Sequence, residues 1–265
     1  MTRTRRQVWA ALLLGGGVTL VGPTVPAHAQ TVGYTVSLYT VRGTYAGEET
    51  DGLYLFNGID VSGGPIRVAF TIPWVRTEST VPVLDATGVA TPTSYTSTGI
   101  GDPLVRGDLQ VVRDQRGSFQ LGVAGAVKLP MVEATTGRGT GELDLAVGAT
   151  AFKVVNRTSL MADVLFWHYG DPADVDFDDT WSYSVGVAQM LGVGGRWSLM
   201  GSLSGFSTGI DGAPPPRSFT VGILALAGRS QSVAVSTSLG LNDSASDFSL
   251  GVSWRMTWQP RAGMR

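Results

Sequence analysis

The chain has 265 residues with 36 glycines and no cysteine, and 15% of its residues are charged, whereas about 25% is usual for soluble domains. Without cysteine, a disulfide framework, a thiolate metal site and a cysteine nucleophile are all excluded. The net charge of −2 disfavours nucleic-acid binding, which requires a basic surface.

Residues 1–29 have the features of a cleaved signal peptide. Three arginines among the first six residues precede an apolar stretch at residues 8–21, and Ala27-His28-Ala29 forms a small-residue cleavage motif. The apolar stretch is too short and too rich in glycine to span a membrane. We therefore predict a signal peptide over residues 1–29 and a mature domain over residues 30–265, with a net charge of −5 after cleavage.

The mature chain consists largely of short segments in which polar and apolar residues alternate. In the last of them, Phe248, Leu250 and Val252 face one way while Ser249 and Gly251 face the other, which is the period of a β-strand with one apolar side. No segment is apolar over enough residues to cross a bilayer as a helix. The twelve segments start near Val32, Leu53, Ile66, Gly101, Ser118, Leu143, Ser159, Trp181, Trp197, Ser218, Ser232 and Asp247.

The connections between these segments alternate in length. Those after even-numbered segments are tight, such as residues 62–65 and 192–195, whereas most of those after odd-numbered segments are longer, such as 77–100 and 131–141. Short periplasmic turns and long outer loops are typical of outer-membrane barrels. We predict an all-β fold, a 12-stranded antiparallel transmembrane β-barrel in the bacterial outer membrane. The strands of a soluble β-sandwich also alternate between polar and apolar residues, but a sandwich would not explain why the turn lengths alternate.

Aromatic residues gather near the ends of the predicted strands, where their rings favour the membrane interface. The outer girdle is predicted to contain Trp74, Trp167, Tyr169, Trp181 and Tyr183, and the periplasmic girdle Tyr34, Phe119, Trp197 and Trp258.

Three glycine-containing motifs and one aspartate carry a resemblance to a known family. They are Gly99-Ile100-Gly101-Asp102, Val127-Lys128-Leu129-Pro130, Gly137-Arg138-Gly139-Thr140-Gly141 and then Asp144. In order and spacing they resemble the bacterial outer-membrane barrels labelled as transporters of the phenol meta-degradation pathway. The resemblance implies an outer-membrane channel linked with uptake of aromatic or other small hydrophobic compounds, without catalytic residues. The residues after Pro130 depart from the family pattern, which leaves the shape of this loop open.

Eight charged residues are predicted to face the lumen of the barrel. Because unpaired charges are costly inside a narrow barrel, opposite charges should pair across neighbouring strands, as Asp108 with Lys128 and Lys128 with Asp144. Such a set could form a charged constriction that selects solutes or a salt-bridge network that fills the lumen; both interpretations stay open. The eight lumen-lining candidates are Asp60, Arg67, Arg106, Asp108, Lys128, Asp144, Asp163 and Arg255.

Other candidate sites fail on chemical grounds. Five aspartates at residues 171–179 suggest a calcium loop, but Val185 stands where an EF-hand needs a bidentate glutamate. His168, the one histidine of the mature chain, has no nucleophile and orienting partner arranged around it in the sequence. We therefore expect no metal, no cofactor and no enzymatic activity.

Three functions are compatible with this sequence. The first is an outer-membrane channel or transporter for small solutes, with hydrophobic or aromatic ones as candidates. The second is a structural or adhesive barrel with a plugged lumen, and the third a lipid-modifying barrel enzyme that uses His168. Large side chains directed into the lumen favour a plugged barrel, and the sequence places Phe56, Met161, Leu165, Trp167 and Met200 there. Small residues favour an open path through the lumen, and these are Gly122, Ala124, Gly148, Gly186 and Ser202.

The expected partners follow from the predicted location. They are outer-membrane lipid, the barrel-assembly machinery that reads the last strand, and a small-molecule solute, with no nucleic acid. No unusually wide apolar face indicates a trimer, and we therefore expect a monomer.

Overall fold

A computed structural model describes residues 30–45, 48–84, 90–170, 178–207 and 214–259. The predicted signal peptide at residues 1–29 lies outside this part of the chain. The described residues form thirteen strands: β1 Thr31–Tyr45, β2 Glu48–Gly63, β3 Ile66–Leu84, β4 Ala90–Ile100, β5 Leu104–Arg113, β6 Phe119–Lys128, β7 Asp144–Val155, β8 Thr158–His168, β9 Thr180–Leu191, β10 Trp197–Phe206, β11 Arg217–Leu226, β12 Gln231–Gly240 and β13 Phe248–Trp258. A single 3₁₀ turn, Ala134–Thr136, lies between β6 and β7.

The strands form one antiparallel sheet that closes on itself. The first strand, β1, pairs with β2 along one edge and with β13 along the other, in a register that runs from Val32 opposite Trp258 to Arg42 opposite Phe248. Every other wall strand pairs with its neighbours in sequence order, apart from β4. The ring contains twelve strands, which confirms the predicted 12-stranded antiparallel barrel.

The thirteenth strand, β4, arises from a break in one long strand. Residues 74–84 of β3 pair with β4, and residues 66–71 of β3 pair with β5. The same β3 edge therefore serves β4 and β5 in turn, and Gly101-Asp102-Pro103 interrupts the strand between them. Breaks of this kind re-aim side chains next to functional sites. Here the break turns Asp102 into the protein, where it is buried.

The segment 77–100, predicted as a loop, is for the most part an extended hairpin. Residues 77–84 and 90–100 continue β3 and β4 outward from the barrel wall, and β2 pairs with β3 up to Glu49 opposite Thr80. The described part of this segment thus extends the wall and does not fold into the lumen. The hairpin tip at residues 85–89 lies outside the described residues.

Apolar side chains cover the outside of the barrel. Each of the twelve wall strands exposes at least one large apolar residue on its outer side, such as Leu38 on β1, Val147 on β7 and Val252 on β13. A soluble monomer does not expose such a continuous belt, whereas a barrel in lipid requires it. The belt and the fold together place the protein in the outer membrane, as predicted. Among the described residues, no helix is both long and apolar enough to cross a membrane.

Close contact between β7 and β8 depends on Gly148. A Cβ atom built on Gly148 would overlap the carbonyl oxygen of Val164 and lie 2.7 Å from the Cα of Leu165. Both are backbone atoms that cannot move without disturbing the pairing of the two strands. In contrast, a Cβ on Gly107 of β5 would meet no atom within 4 Å.

We predict that Gly148→Ala destabilises the barrel by about 1–3 kcal/mol because of overpacking, and that Gly107→Ala, the matched control, leaves stability nearly unchanged. Thermal unfolding of the refolded protein in detergent, followed by the gel-mobility shift between folded and unfolded barrel, measures both. Equal unfolding temperatures for the two variants would contradict the assignment of Gly148 as a tight contact.

Candidate functional site

A cavity of about 1240 Å³ occupies the barrel lumen. Its lining reaches the periplasmic turns at Gly64, Pro65 and Arg229, and the outer end at Tyr169 and Pro216. The cavity therefore runs between the two ends of the barrel. Its wall includes all eight charged residues that the sequence places on the lumen side: Asp60, Arg67, Arg106, Asp108, Lys128, Asp144, Asp163 and Arg255.

The charged side chains in the periplasmic half of the lumen form a cluster around Asp60. Arg255 donates from Nη1 and Nη2 to the two Asp60 carboxylate oxygens at 2.5 and 3.0 Å, and also to Thr35. The Nε atom of Arg67 lies 3.4 Å from the same carboxylate. Gly33 of β1 lies beneath the Arg255–Asp60 pair, and a Cβ there would come within 2.6 Å of Asp60 Oδ1. Two guanidinium groups thus share one carboxylate in the periplasmic half of the lumen.

A second ion-pair group connects β5 with β8 about midway along the lumen. Arg106 of β5 donates to Asp108 at 2.9 Å and to Asp163 of β8 at 2.5 Å. Strands β6 and β7 lie between these partners. On β6, Ala124 and Ala126 stand opposite Asp108 and Arg106 in the register, and both are buried. The predicted pair of Asp108 with Lys128 is wrong, because Arg106 on the same strand is the partner of Asp108.

A third group, which we call the mouth cluster, consists of Asp102, Lys128, Thr140 and Asp144. Lys128 forms an ion pair with Asp144, as predicted, and its Nζ also donates to Thr140 Oγ1. Asp102 lies 3.8 Å from the same ammonium group. All four side chains belong to the motifs that carry the family resemblance, and all lie at the outer end of the barrel.

Asp102 holds the β6–β7 loop, residues 129–143, against the outer end of the lumen. Its Oδ1 accepts hydrogen bonds from the backbone N–H groups of Met131 and Val132 at 3.0 Å, and its Oδ2 accepts one from Thr140 at 3.1 Å. Gly139 packs directly on this carboxylate, and a Cβ there would lie 2.5 Å from Asp102 Cγ. Charge-assisted bonds to backbone donors are strong and directional, so one side chain determines the path of the loop.

Aromatic side chains line two opposite walls of the outer half of the lumen. Tyr39, Tyr54 and Phe56 lie on one wall, with Tyr39 edge-on to Phe56 at 5.9 Å between ring centres and Tyr54 parallel to it at 6.3 Å. On the other wall Trp167 stacks on Tyr169 at 6.1 Å. In the ring of twelve, β2 and β8 are separated by four strands on one side and six on the other, so the two sets face each other.

The outer girdle prediction is therefore wrong for two residues. Trp167 and Tyr169 line the lumen instead of the lipid interface, whereas Tyr183 shares the outer face of β9 with the exposed Trp181 and Val185. Trp167 donates to Ser182 Oγ at 2.9 Å, a polar partner that the lipid side would not supply. Burial raises the pKa of Tyr169, which keeps its hydroxyl neutral. Trp181, Trp197 and Trp258 remain exposed on the barrel, and they fit the interface positions predicted for them.

The wall formed by β9 to β13 is lined mainly by small polar residues. Hydroxyl pairs connect neighbouring strands here, with Ser204 and Ser218 at 3.1 Å and Thr220 donating to Ser238 at 3.1 Å. Serines on the strands of this wall that line the cavity are Ser182, Ser184, Ser202, Ser204, Ser218, Ser232, Ser236, Ser238, Ser249 and Ser253. The lumen is consequently asymmetric. Most of its ion-paired side chains and its aromatic walls lie on β1 to β8, whereas the wall of β9 to β13 carries mainly hydroxyl groups, together with Arg255 on β13 and Met200 on β10.

His168 lies away from the lumen, exposed at the outer end of β8. Its Nδ1 is 2.9 Å from Asp179 Oδ1, and among the described residues no serine or other nucleophile shares a hydrogen bond with it. The aspartates at residues 171–177 lie outside the described part of the chain. Within that part, no group of three or more histidine or acidic side chains could hold a metal ion.

Sequence reasoning missed two sets of lumen residues. Tyr39 and Tyr54 fall on the lumen side of the strand alternation, and extending the period of two along β1 and β2 would have found them. Asp102 was recognised only as part of a motif, because a residue in a strand break follows no period. Its role as the acceptor for three backbone groups depends on a loop path that the sequence does not specify.

The fold and the apolar belt define an outer-membrane β-barrel. The chain belongs to the family described as "Putative MetA-pathway of phenol degradation", whose model matches residues 23–256. No relative was found by sequence among curated proteins.

Two solved structures share the architecture. One is an outer membrane channel from Pseudomonas putida F1, with a TM-score of 0.65 and 13% identity over 89% of this chain and 97% of that chain. The other is the translocator domain of the autotransporter NalP from Neisseria meningitidis, with a TM-score of 0.57 and 10% identity over 97% of this chain and 99% of that chain. At these identities the likeness concerns the fold alone.

We predict that Asp102→Ala releases the β6–β7 loop, because the backbone N–H groups of Val132 and Thr140 lose their acceptor and that of Met131 keeps only its bond to Leu129. A buried donor left unpaired costs about 1–3 kcal/mol. Limited proteolysis of the refolded protein should then cleave within residues 129–143, where the wild type resists. Glu133→Ala, which alters an exposed carboxylate of the same loop, is the control and should leave the cleavage pattern unchanged. A resistant loop in Asp102→Ala would show that Asp102 does not hold it.

Proposed function

We propose that the protein is an outer-membrane channel for small solutes, with hydrophobic and aromatic compounds as the preferred class. The observation that carries the proposal is the cavity, which is lined from the periplasmic turns to the outer end of the barrel. Opposed aromatic walls in its outer half offer apolar and stacking contacts to a ring. Membership of the phenol-degradation family supports the same solute class.

The shape of the lumen favours a channel over the plugged structural barrel. Phe56 and Trp167 lie on facing walls, and Met161 and the Arg106–Asp163 pair lie along β5 to β8. The serine wall opposite leaves room for passage. Hydroxyl groups on this wall can replace part of the hydration shell of a polar substituent while the ring contacts the aromatic side.

Two partner assignments belong to this proposal. One chain encloses the whole cavity, and its apolar belt covers all twelve wall strands, which supports a monomer as the working unit in the lipid. The final strand, with Ser249, Gly251 and Trp254 at fixed spacing, resembles the signal that barrel-assembly machinery reads. We propose that the machinery docks on β13 before β1 and β13 close the ring.

The proposed channel predicts discrete conductance steps when refolded protein is added to a planar lipid bilayer. Replacement of Ser236, which faces the cavity on β12, by tryptophan should lower the step size severalfold because the ring would fill the open side. Val235→Trp, one residue earlier and directed to the lipid, is the matched control and should conduct like the wild type. A wild type that is folded but silent would overturn the open path.

A further inference from the structure

The charges that line the lumen do not balance. Among the described residues, the cavity wall carries seven basic and five acidic side chains, an excess of two positive charges in a chain whose net charge is −2. The basic residues are Arg67, Arg106, Arg113, Lys128, Arg138, Arg229 and Arg255, and the acidic ones are Asp60, Asp102, Asp108, Asp144 and Asp163. Within the described part of the chain, the net charge of the lumen wall is therefore opposite in sign to that of the whole sequence.

Acidic residues near the outer end occupy the other face of the wall. Asp51 of β2 pairs with Arg42 of β1 at 2.8 Å, and both are exposed. By the alternation of β2 and β3, Glu49 and Glu78 share this outer face, because Tyr54 and Val75 on the opposite face line the cavity. The carboxylates of this hairpin thus do not offset the positive charge inside the barrel.

The excess extends along the whole path. In the periplasmic half, Arg67 and Arg255 share the single carboxylate of Asp60. Within the described part of the chain, two further arginines of the wall form no ion pair: Arg138 near the outer end and Arg229 at a periplasmic turn. A lumen with one sign of charge between low-dielectric walls raises the local concentration of the opposite ion, and rings of arginine or lysine select anions in pores.

We propose that the lumen selects small aromatic anions, and specifically arene carboxylates, over neutral aromatic compounds of the same shape. The inference rests on the proposed channel function and names its solute class. The aromatic walls at the outer half take the ring, and the arginines take the carboxylate as the solute moves towards the periplasm.

Arg67 is the residue best placed to receive the carboxylate. Its Nε lies 3.4 Å from Asp60 Oδ2, a longer approach than the 2.5 and 3.0 Å contacts of Arg255 with the same carboxylate. Its side chain is partly exposed to the cavity, and Arg255 satisfies both oxygens of Asp60. A guanidinium group presents a planar pair of donors that matches a carboxylate, so the solute can bind without breaking the Asp60 cluster.

The test compares benzoate with benzamide, a neutral compound of nearly the same shape. Calorimetric titration of the refolded barrel in detergent should give tighter binding for benzoate, and the difference should shrink as salt is added. Arg67→Gln should weaken benzoate binding roughly tenfold, as expected for one charge-assisted contact, and leave benzamide unchanged. Arg42→Gln removes a charge from the outer face of β1 and is the matched control.

Reversal potentials in a planar bilayer under a potassium chloride gradient give an independent measurement. The proposal requires a reversal potential whose sign shows that chloride permeates more readily than potassium. This preference for chloride should be smaller in Arg67→Gln and unchanged in Arg42→Gln. Equal affinities for benzoate and benzamide, or cation preference in a conducting wild type, would overturn anion selection and leave the channel in place. A protein that neither conducts nor binds either compound would remove both proposals.

Discussion

Closure of the sheet between β1 and β13 is the constraint on which the rest of the structure depends. In lipid, a strand edge would leave backbone N–H and C=O groups without partners at a cost of several kcal/mol each. Pairing from Val32–Trp258 to Arg42–Phe248 removes that edge. Once the ring is closed, the alternation of the strands assigns each residue to lipid or lumen, so an apolar belt and a polar, charged interior can be built from the same strands.

Inside the ring, glycine determines where large and charged side chains can lie. Arg255 reaches Asp60 across Gly33, Tyr39 lies over Gly251, and Asp102 packs on Gly139. In each case a Cβ would overlap the side chain above it. Glycine is therefore needed at particular positions of this barrel, because a residue without a side chain on one strand leaves room for a large side chain from a neighbouring strand.

The limits of sequence reasoning can be seen in particular residues. The period of two predicted the ring, the strand starts to within a few residues and the lumen side of charges such as Arg106 and Asp163. It could not predict that Arg106 would pair with its own-strand neighbour Asp108 and with β8, because side-chain length and barrel curvature decide which partner is reached. The inward turn of Trp167 and Tyr169 also conflicted with the general preference of aromatic rings for the interface.

The asymmetry of the lumen connects these features to selection. Aromatic rings, the Arg106–Asp163 pair and the β6–β7 loop occupy the side of β1 to β8, and serines line most of the other. In the channel that we propose, a solute that is apolar on one side and charged at one end contacts the aromatic walls and the guanidinium groups together. Because the carboxylates near Arg67 and Arg106 are already engaged in ion pairs, part of the positive potential remains available to a passing anion. Selection then arises from groups that also hold the barrel interior in place.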